Sequence, residues 1–73
     1  MKHLDRYGWD AIPTYTVPGF VDAVAVHRQT NRVILCEFKM PEGKPTVAQQ
    51  RLIDRGWPIV YLRSESDVLR LEP

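Results

Sequence analysis

Two short apolar runs separated by four polar residues restrict this chain more than anything else in it. Phe20-Val-Asp-Ala-Val-Ala-Val-His27 and Arg32-Val-Ile-Leu-Cys-Glu-Phe-Lys39 are rich in β-branched and apolar residues. Arg28-Gln-Thr-Asn31 between them has an ordinary length for a hairpin loop. With His27 opposite Arg32, counting pairs Val26 with Val33, Val24 with Leu35 and Asp22 with Glu37. Side chains alternate along a strand, so Lys39 shares the face of Glu37. A row of Phe20, Val24, Val26, Val33 and Leu35 is thereby interrupted by two carboxylates and an amine.

Like charges opposed in a sheet repel, and a buried carboxylate is costly unless something compensates it. A hard divalent cation between Asp22 and Glu37 resolves that conflict, with Lys39 adding a positive charge beside it. Solvation of all three on a wet face of the hairpin is the alternative.

Seventy-three residues predict a single domain spanning 1–73. A domain of this size buries only about 60% of the surface its unfolded chain exposes, so a bound metal or a second subunit would add useful stability. No apolar run approaches the length of a membrane span, and Met1-Lys-His-Leu-Asp5 lacks the pattern of a signal peptide. The expectation is a cytoplasmic protein with no membrane partner. One cysteine excludes an internal disulfide, and Cys36, on the face opposite Glu37, reads as a core thiol. The net charge of +1 conceals an uneven distribution. Between residues 23 and 63, seven basic side chains stand against Glu37, Glu42 and Asp54, a balance that suits a polyanionic substrate.

Along the rest of the chain, Met1–Gly8 reads as one helical turn or a loose arm. Thr14–Val17 alternates as a strand does, and Pro18-Gly19 is a turn. Met40–Pro45 is a loop on its Pro and Gly content. Thr46 followed by Gln49 matches a capping box and opens a helix over 47–55 with Val47, Ala48, Leu52 and Ile53 as its apolar stripe. Gly56 closes that helix, with Trp57 folding back and Pro58 blocking continuation. Residues 59–63 form the last strand. Ser64 or Ser66 caps a final turn bearing Val68, Leu69 and Leu71.

Strand 32–39, helix 47–55 and strand 59–63 make a βαβ unit whose strands are parallel neighbours. The fold class is α/β: a small mixed β-sheet with a central hairpin, a βαβ crossover and one or two short helices. The sheet face carrying Val21, Ala23, Ala25, Ile34, Cys36 and Phe38 needs a cover, and the first sixteen residues offer few apolar side chains. Symmetric pairing of two chains would hide it. His3 and His27 read as surface residues. Trp9, Trp57 and Tyr61 read as core or edge packing.

Gly19-Phe-Val-Asp22, Cys36-Glu-Phe-Lys39 and Gly43-Lys-Pro-Thr-Val-Ala-Gln49 together resemble the PD-(D/E)XK nuclease superfamily, and within it the compact virus-type replication-repair nuclease branch, VRR-NUC. Members of that branch carry a Gly-x-Pro-Asp strand start, a Glu-x-Lys strand and a Gly-Lys-(Leu/Pro)-(Ser/Thr)-x-x-Gln entry into the next helix. An Arg-Ser and then an Asp follow, like Arg63-Ser64 and Asp67 here. The likeness covers about residues 19–71 and implies a minimal restriction-endonuclease-like core.

The resemblance implies that Asp22, Glu37 and the backbone carbonyl of Phe38 hold Mg²⁺ or Mn²⁺. Lys39 would orient or deprotonate the attacking water, and Gln49 would reach back to the site. The capping bond to Thr46 is the other reading of Gln49. Lys44, Arg51 and Arg55 are the DNA-binding candidates, the two arginines sharing a helical face at i, i+4. The implied activity is a metal-dependent DNA endonuclease of phage or prophage type. It would be selective for branched or four-way DNA and act as a homodimer.

Two positions depart from the pattern. Val21 stands where the family has proline. No glutamate precedes Glu37, although related domains bring one to the site from an N-terminal helix, and Asp5 or Asp10 is only a weak substitute. A catalytically inactive DNA-binding or inhibitory module on the same fold is therefore the alternative, followed by a structural protein with solvated strand charges.

Overall fold

Pairing of the two apolar runs generates the centre of a four-stranded sheet whose strands lie side by side in sequence order. The structure, a computed structural model, describes residues 2–17, 20–39 and 44–73. Its elements are α1 (Lys2–Arg6), β1 (Trp9–Pro13), β2 (Ala23–His27), β3 (Val33–Phe38), α2 (Val47–Asp54), β4 (Ile59–Leu62) and α3 (Glu65–Leu69). The β1/β2 and β2/β3 pairs are antiparallel and β3/β4 is parallel, which makes a small mixed α/β sheet with three short helices.

The register of the hairpin follows from its chemistry. Val24 lies opposite Leu35 and Val26 opposite Val33. The His27 amide donates to the Arg32 carbonyl at 2.9 Å, which closes the ladder at the loop. Asn31 turns the loop with φ 61°, a left-handed conformation that asparagine tolerates better than most residues.

One face of this sheet is the core. Ala23, Ala25, Ile34, Cys36 and Leu62 are buried there with Trp9, Leu4 of α1 and Val68 of α3. Residues of α1, β1 and α3 therefore cover most of the face that the sequence leaves open, and only Phe38 at its end stays exposed among the residues named for that face. Helix α1 packs against β1 and α3 against β4, and Leu4 and Val68 join the small alanines and cysteine in the middle of that face in one cluster. Leu4 and Trp9 are among the largest fully buried side chains. Burial without polar partners also raises the Cys36 thiol to about 11, so it packs as an inert core group.

The first strand lies earlier than its alternation predicts. It occupies Trp9–Pro13, while Tyr15 and Thr16 form a turn. Trp9 opposite His27 decides this shift, because the indole packs edge-on against the imidazole with ring centroids 5.0 Å apart. Pro13 ends an edge strand, where a missing N–H costs nothing. His27 is accordingly buried instead of exposed, and its Nδ1 accepts from the Gln29 amide at 3.2 Å. His3 is half-buried beside Glu65, with Nδ1 and Oε1 3.4 Å apart.

Helix α2 begins with the expected capping box and ends in a Schellman turn. Gly56 has φ 86°, its amide donates to Ile53 O, and the Trp57 amide donates to Leu52 O. Its inward face is not the predicted stripe, however. Gln49 is buried and Leu52 and Ile53 are half-buried, whereas Val47, Ala48 and Trp57 are exposed. An i, i+3, i+4 face starting from Gln49 contains Leu52 and Ile53 but leaves out Val47 and Ala48. In α3, Ser64 holds the N-cap position without a side-chain cap bond, and Asp67 Oδ2 accepts from the Arg63 amide instead. The Pro18-Gly19 turn and residues 40–43 of the expected loop lie outside the described residues.

If α1 is a packed element, Leu4→Ala should lower the unfolding free energy by about 2–5 kcal/mol, as removal of a large buried side chain does. Urea titration would read it. A loss under about 0.5 kcal/mol, the range of ordinary surface changes, would make residues 2–6 a loose arm.

Candidate functional site

The same register that fills the core places the acidic side chains on the opposite face. Asp22 lies one residue before β2, and its amide donates to the Cys36 carbonyl at 3.0 Å. Its Oδ2 accepts from the Phe38 amide at 2.9 Å, which ties the carboxylate to the backbone of β3. Glu37 is 7% exposed in β3. Lys39 Nζ lies 3.8 Å from Glu37 Oε1, on the same face as expected. The sheet thus brings Asp22, Glu37 and Lys39 together.

Gln49 closes the site from above. Its Nε2 donates a short hydrogen bond to Glu37 Oε2 and a longer one, 3.4 Å, to the Phe20 carbonyl. Its Oε1 accepts from the Thr46 amide at 3.3 Å and from the Tyr61 hydroxyl at 3.0 Å. The two readings of Gln49 are therefore compatible: one amide caps α2 with its oxygen and holds Glu37 with its nitrogen. The orientation of that amide is forced. A backbone N–H can only donate and a backbone carbonyl can only accept, so Oε1 must face Thr46 and Nε2 must face Phe20. With 3% of its surface exposed, Gln49 has both polar atoms satisfied inside the protein.

Tyr61 belongs to this network, which the packing reading of the aromatics misses. Glu37 is opposite Tyr61 in the parallel β3/β4 register, so the two share a face. Alternation within the hairpin could not find it, because the face of Tyr61 depends on the register of β4 against β3. Burial, and then the Glu37 charge, raises the Tyr61 hydroxyl above its ordinary value, with Arg63 opposing the shift. The hydroxyl stays protonated and available as the donor to Gln49. The Arg63 guanidinium lies over the Tyr61 ring, 5.6 Å from its centroid.

The Glu37 carboxyl is itself pushed up. Desolvation is the largest cause and the neighbouring Asp22 charge the next, while Lys39 and the Gln49 hydrogen bond pull the other way. Lys39 does not cancel the excess negative charge. A divalent cation would, and hard cations take the oxygen ligands present here. The side-chain hydrogen bonds described above engage one oxygen of each carboxylate, Asp22 Oδ2 and Glu37 Oε2. Among the described residues no group of three or more His, Cys, Asp or Glu side chains gathers, so this donor set is two carboxylates plus backbone oxygen.

The remaining candidates lie outside the carboxylate cluster. Lys44, Arg51 and Arg55 are exposed, the two arginines on α2 and Lys44 just before it. Gln50 is also exposed, and bonds to Asp54 at 2.9 Å. Asp5 and Asp10 do not substitute for the missing glutamate. Both are bound by Arg28 Nη1, at 2.9 and 2.8 Å, toward the loop end of β2, where Asp10 lies opposite Val26, and away from Asp22. No family model, curated protein or solved structure matches this chain.

The direction of the Glu37 shift has a consequence for the metal-free protein. A carboxyl raised by folding contributes stability that is complete below its unfolded value, about 4.3 for glutamate, and is lost as pH rises through the folded value. Glu37→Gln removes that titration. In the presence of a chelator, the stability of wild type relative to Glu37→Gln should fall as pH rises from about 4 and then level off. Denaturation curves across that range would measure it. A difference that grew in favour of wild type would overturn the direction.

Proposed function

We propose that this protein is a metal-dependent phosphodiesterase acting on DNA, with Asp22, Glu37 and Lys39 as its reactive side chains. The observation that carries the reading is the buried Glu37 beside Asp22, two carboxylates whose mutual repulsion Lys39 only partly offsets. The likeness of the Gly19–Asp22, Glu37–Lys39 and Gly43–Gln49 motifs to VRR-NUC nucleases supplies the reaction class.

Bound Mg²⁺ or Mn²⁺ would neutralise the phosphate oxygens and make a water more acidic. The residues of the chain supply the rest. Asp22, fixed by the Phe38 amide, and Glu37, fixed by Gln49, present the ligand oxygens, with the Phe38 carbonyl as the backbone donor. Tyr61 and Thr46 hold Gln49 so that its N–H, and not its oxygen, meets Glu37. Lys39, the ammonium 3.8 Å from Glu37, orients the attacking water and offsets charge as the phosphorus–oxygen bond breaks. The exposed Lys44, Arg51 and Arg55 meet the DNA backbone.

A second reading, a DNA-binding module without chemistry, draws on the engagement of Asp5 and Asp10 by Arg28. No third acidic side chain then reaches the pair, among the described residues. A cleavage assay separates the two. With Mn²⁺ present, single-stranded, duplex, flap and four-way DNA should include at least one substrate that is cut. Lys39→Ala should abolish the cutting while the protein stays folded and still binds metal. Binding without cleavage of any of these substrates would favour the second reading.

A homodimer accompanies the nuclease reading, built on the uncovered part of the carboxylate face. Ile12, opposite Val24, is 69% exposed, and Val33, opposite Val26, is 48% exposed. Helix α2 covers the Glu37 end of that face, where Gln49 meets the sheet, and a second copy would cover the rest. Light scattering at micromolar concentration should give about twice the 8.5 kDa chain mass, as a twofold assembly requires. Val33→Glu should return it to one chain mass. A wild-type monomer that cuts DNA at full rate would remove the dimer from the account.

A further inference from the structure

We infer that the groove at the C-terminal ends of β3 and β4 is a subsite for an unpaired nucleobase of the strand bound at Asp22 and Glu37. This rests on the nuclease reading above and deepens it, because it states which feature of DNA the protein selects. The groove has a volume of about 450 Å³, within the roughly 300–1,000 Å³ of ligand-binding pockets. Leu4, Phe38, Leu62 and Val68 form its apolar walls, and Lys39 and Arg63 are its basic members.

Phe38 is the informative residue. Its neighbours on the same sheet face, Ile34 and Cys36, are completely buried, yet Phe38 keeps 40% of its surface exposed. The strand carries the ring past the end of the core, into the groove. Its backbone amide meanwhile holds Asp22 on the other side of the sheet. One residue therefore links the carboxylate pair to the groove, and Lys39, next in sequence, lines the groove while its Nζ stays 3.8 Å from Glu37.

The occupant follows from these chemistries. An aromatic ring among aliphatic walls offers a stacking surface to any base, and the lysine and arginine suit the phosphates on either side of it. The acidic member of the groove, Glu65, carries Arg6 at 3.1 Å and the Tyr7 hydroxyl at 3.2 Å on its Oε1, so the Arg6 guanidinium offsets its charge. A base inside continuous duplex is stacked on both faces and must be extruded before it can enter, whereas an unpaired base enters without that cost. The groove thus favours single-stranded or branched DNA over intact duplex.

Binding measured in Ca²⁺, with the strand left uncut, tests this apart from the chemistry. A fluorescently labelled single strand should bind more tightly than a duplex of the same sequence. Moving an abasic nucleotide along the strand should reveal one position whose base is worth roughly 5- to 150-fold in affinity, the range of base–aromatic stacking. Phe38→Ala should lose the same factor on the intact strand and nothing further on the strand abasic at that position. Ser64→Trp narrows the groove from its exposed rim and should act likewise, so the test survives if Phe38→Ala fails to fold.

A flat abasic scan, or wild-type affinity in both variants, overturns the subsite. If Mn²⁺-dependent cleavage persists alongside that result, the nuclease reading stands without it. A position-specific loss with no cleavage by any divalent metal upholds the subsite and overturns the nuclease reading. Absence of DNA binding overturns both.

Discussion

The pairing of β2 with β3 carries two incompatible sets of side chains on one hairpin, and keeps them apart by alternation alone. Ala23, Ala25, Ile34 and Cys36 face the core, while Asp22 and Glu37 face the other way. A slip of one residue would exchange the faces and drive carboxylates against Leu4 and Trp9. The core therefore specifies the register, and the register specifies the site. The edge-on contact of Trp9 with His27 and the Arg32 carbonyl bond to the His27 amide pin the far end of the same strand.

Helix α2 stands in a different relation to the sheet. Its buried residue is Gln49, a polar side chain, and its apolar residues are half-buried or exposed. The helix is docked by an amide that satisfies Thr46, Phe20, Glu37 and Tyr61 together. Such a network is stable when every member is met and costly when one is missing. Protonation or removal of Glu37 therefore acts on the seating of the helix as well as on the charge of the site.

Much of this was legible in the sequence because it depends on local counting. The four-residue loop fixes the hairpin register, and the register extends to Asp22 and Glu37 without further information. Thr46 with Gln49, and Gly56 before Trp57 and Pro58, mark the ends of α2 through hydrogen bonds within a few residues. What was not legible depends on contacts between distant segments. Trp9 became a strand residue by packing on His27, which itself looked like a loop-end surface residue. Leu4 alone could not announce that a five-residue helix would cover the core face. Tyr61 became readable only once β4 had a register against β3. The Glu37–Gln49 bond joins the two readings of one glutamine that spacing could not separate.

The proposed chemistry requires Asp22 and Glu37 to form one divalent cation site. Thermal or chemical unfolding of the protein with and without Mn²⁺, for wild type and Glu37→Ala, tests it most directly. A cation held only by the folded state should stabilise wild type by about 2.7 kcal/mol at a hundredfold excess over its dissociation constant. Glu37→Ala should remain folded and show no stabilisation at the same concentration. An equal shift in both proteins would locate the ion elsewhere, and no shift in wild type at millimolar Mn²⁺ would contradict the account.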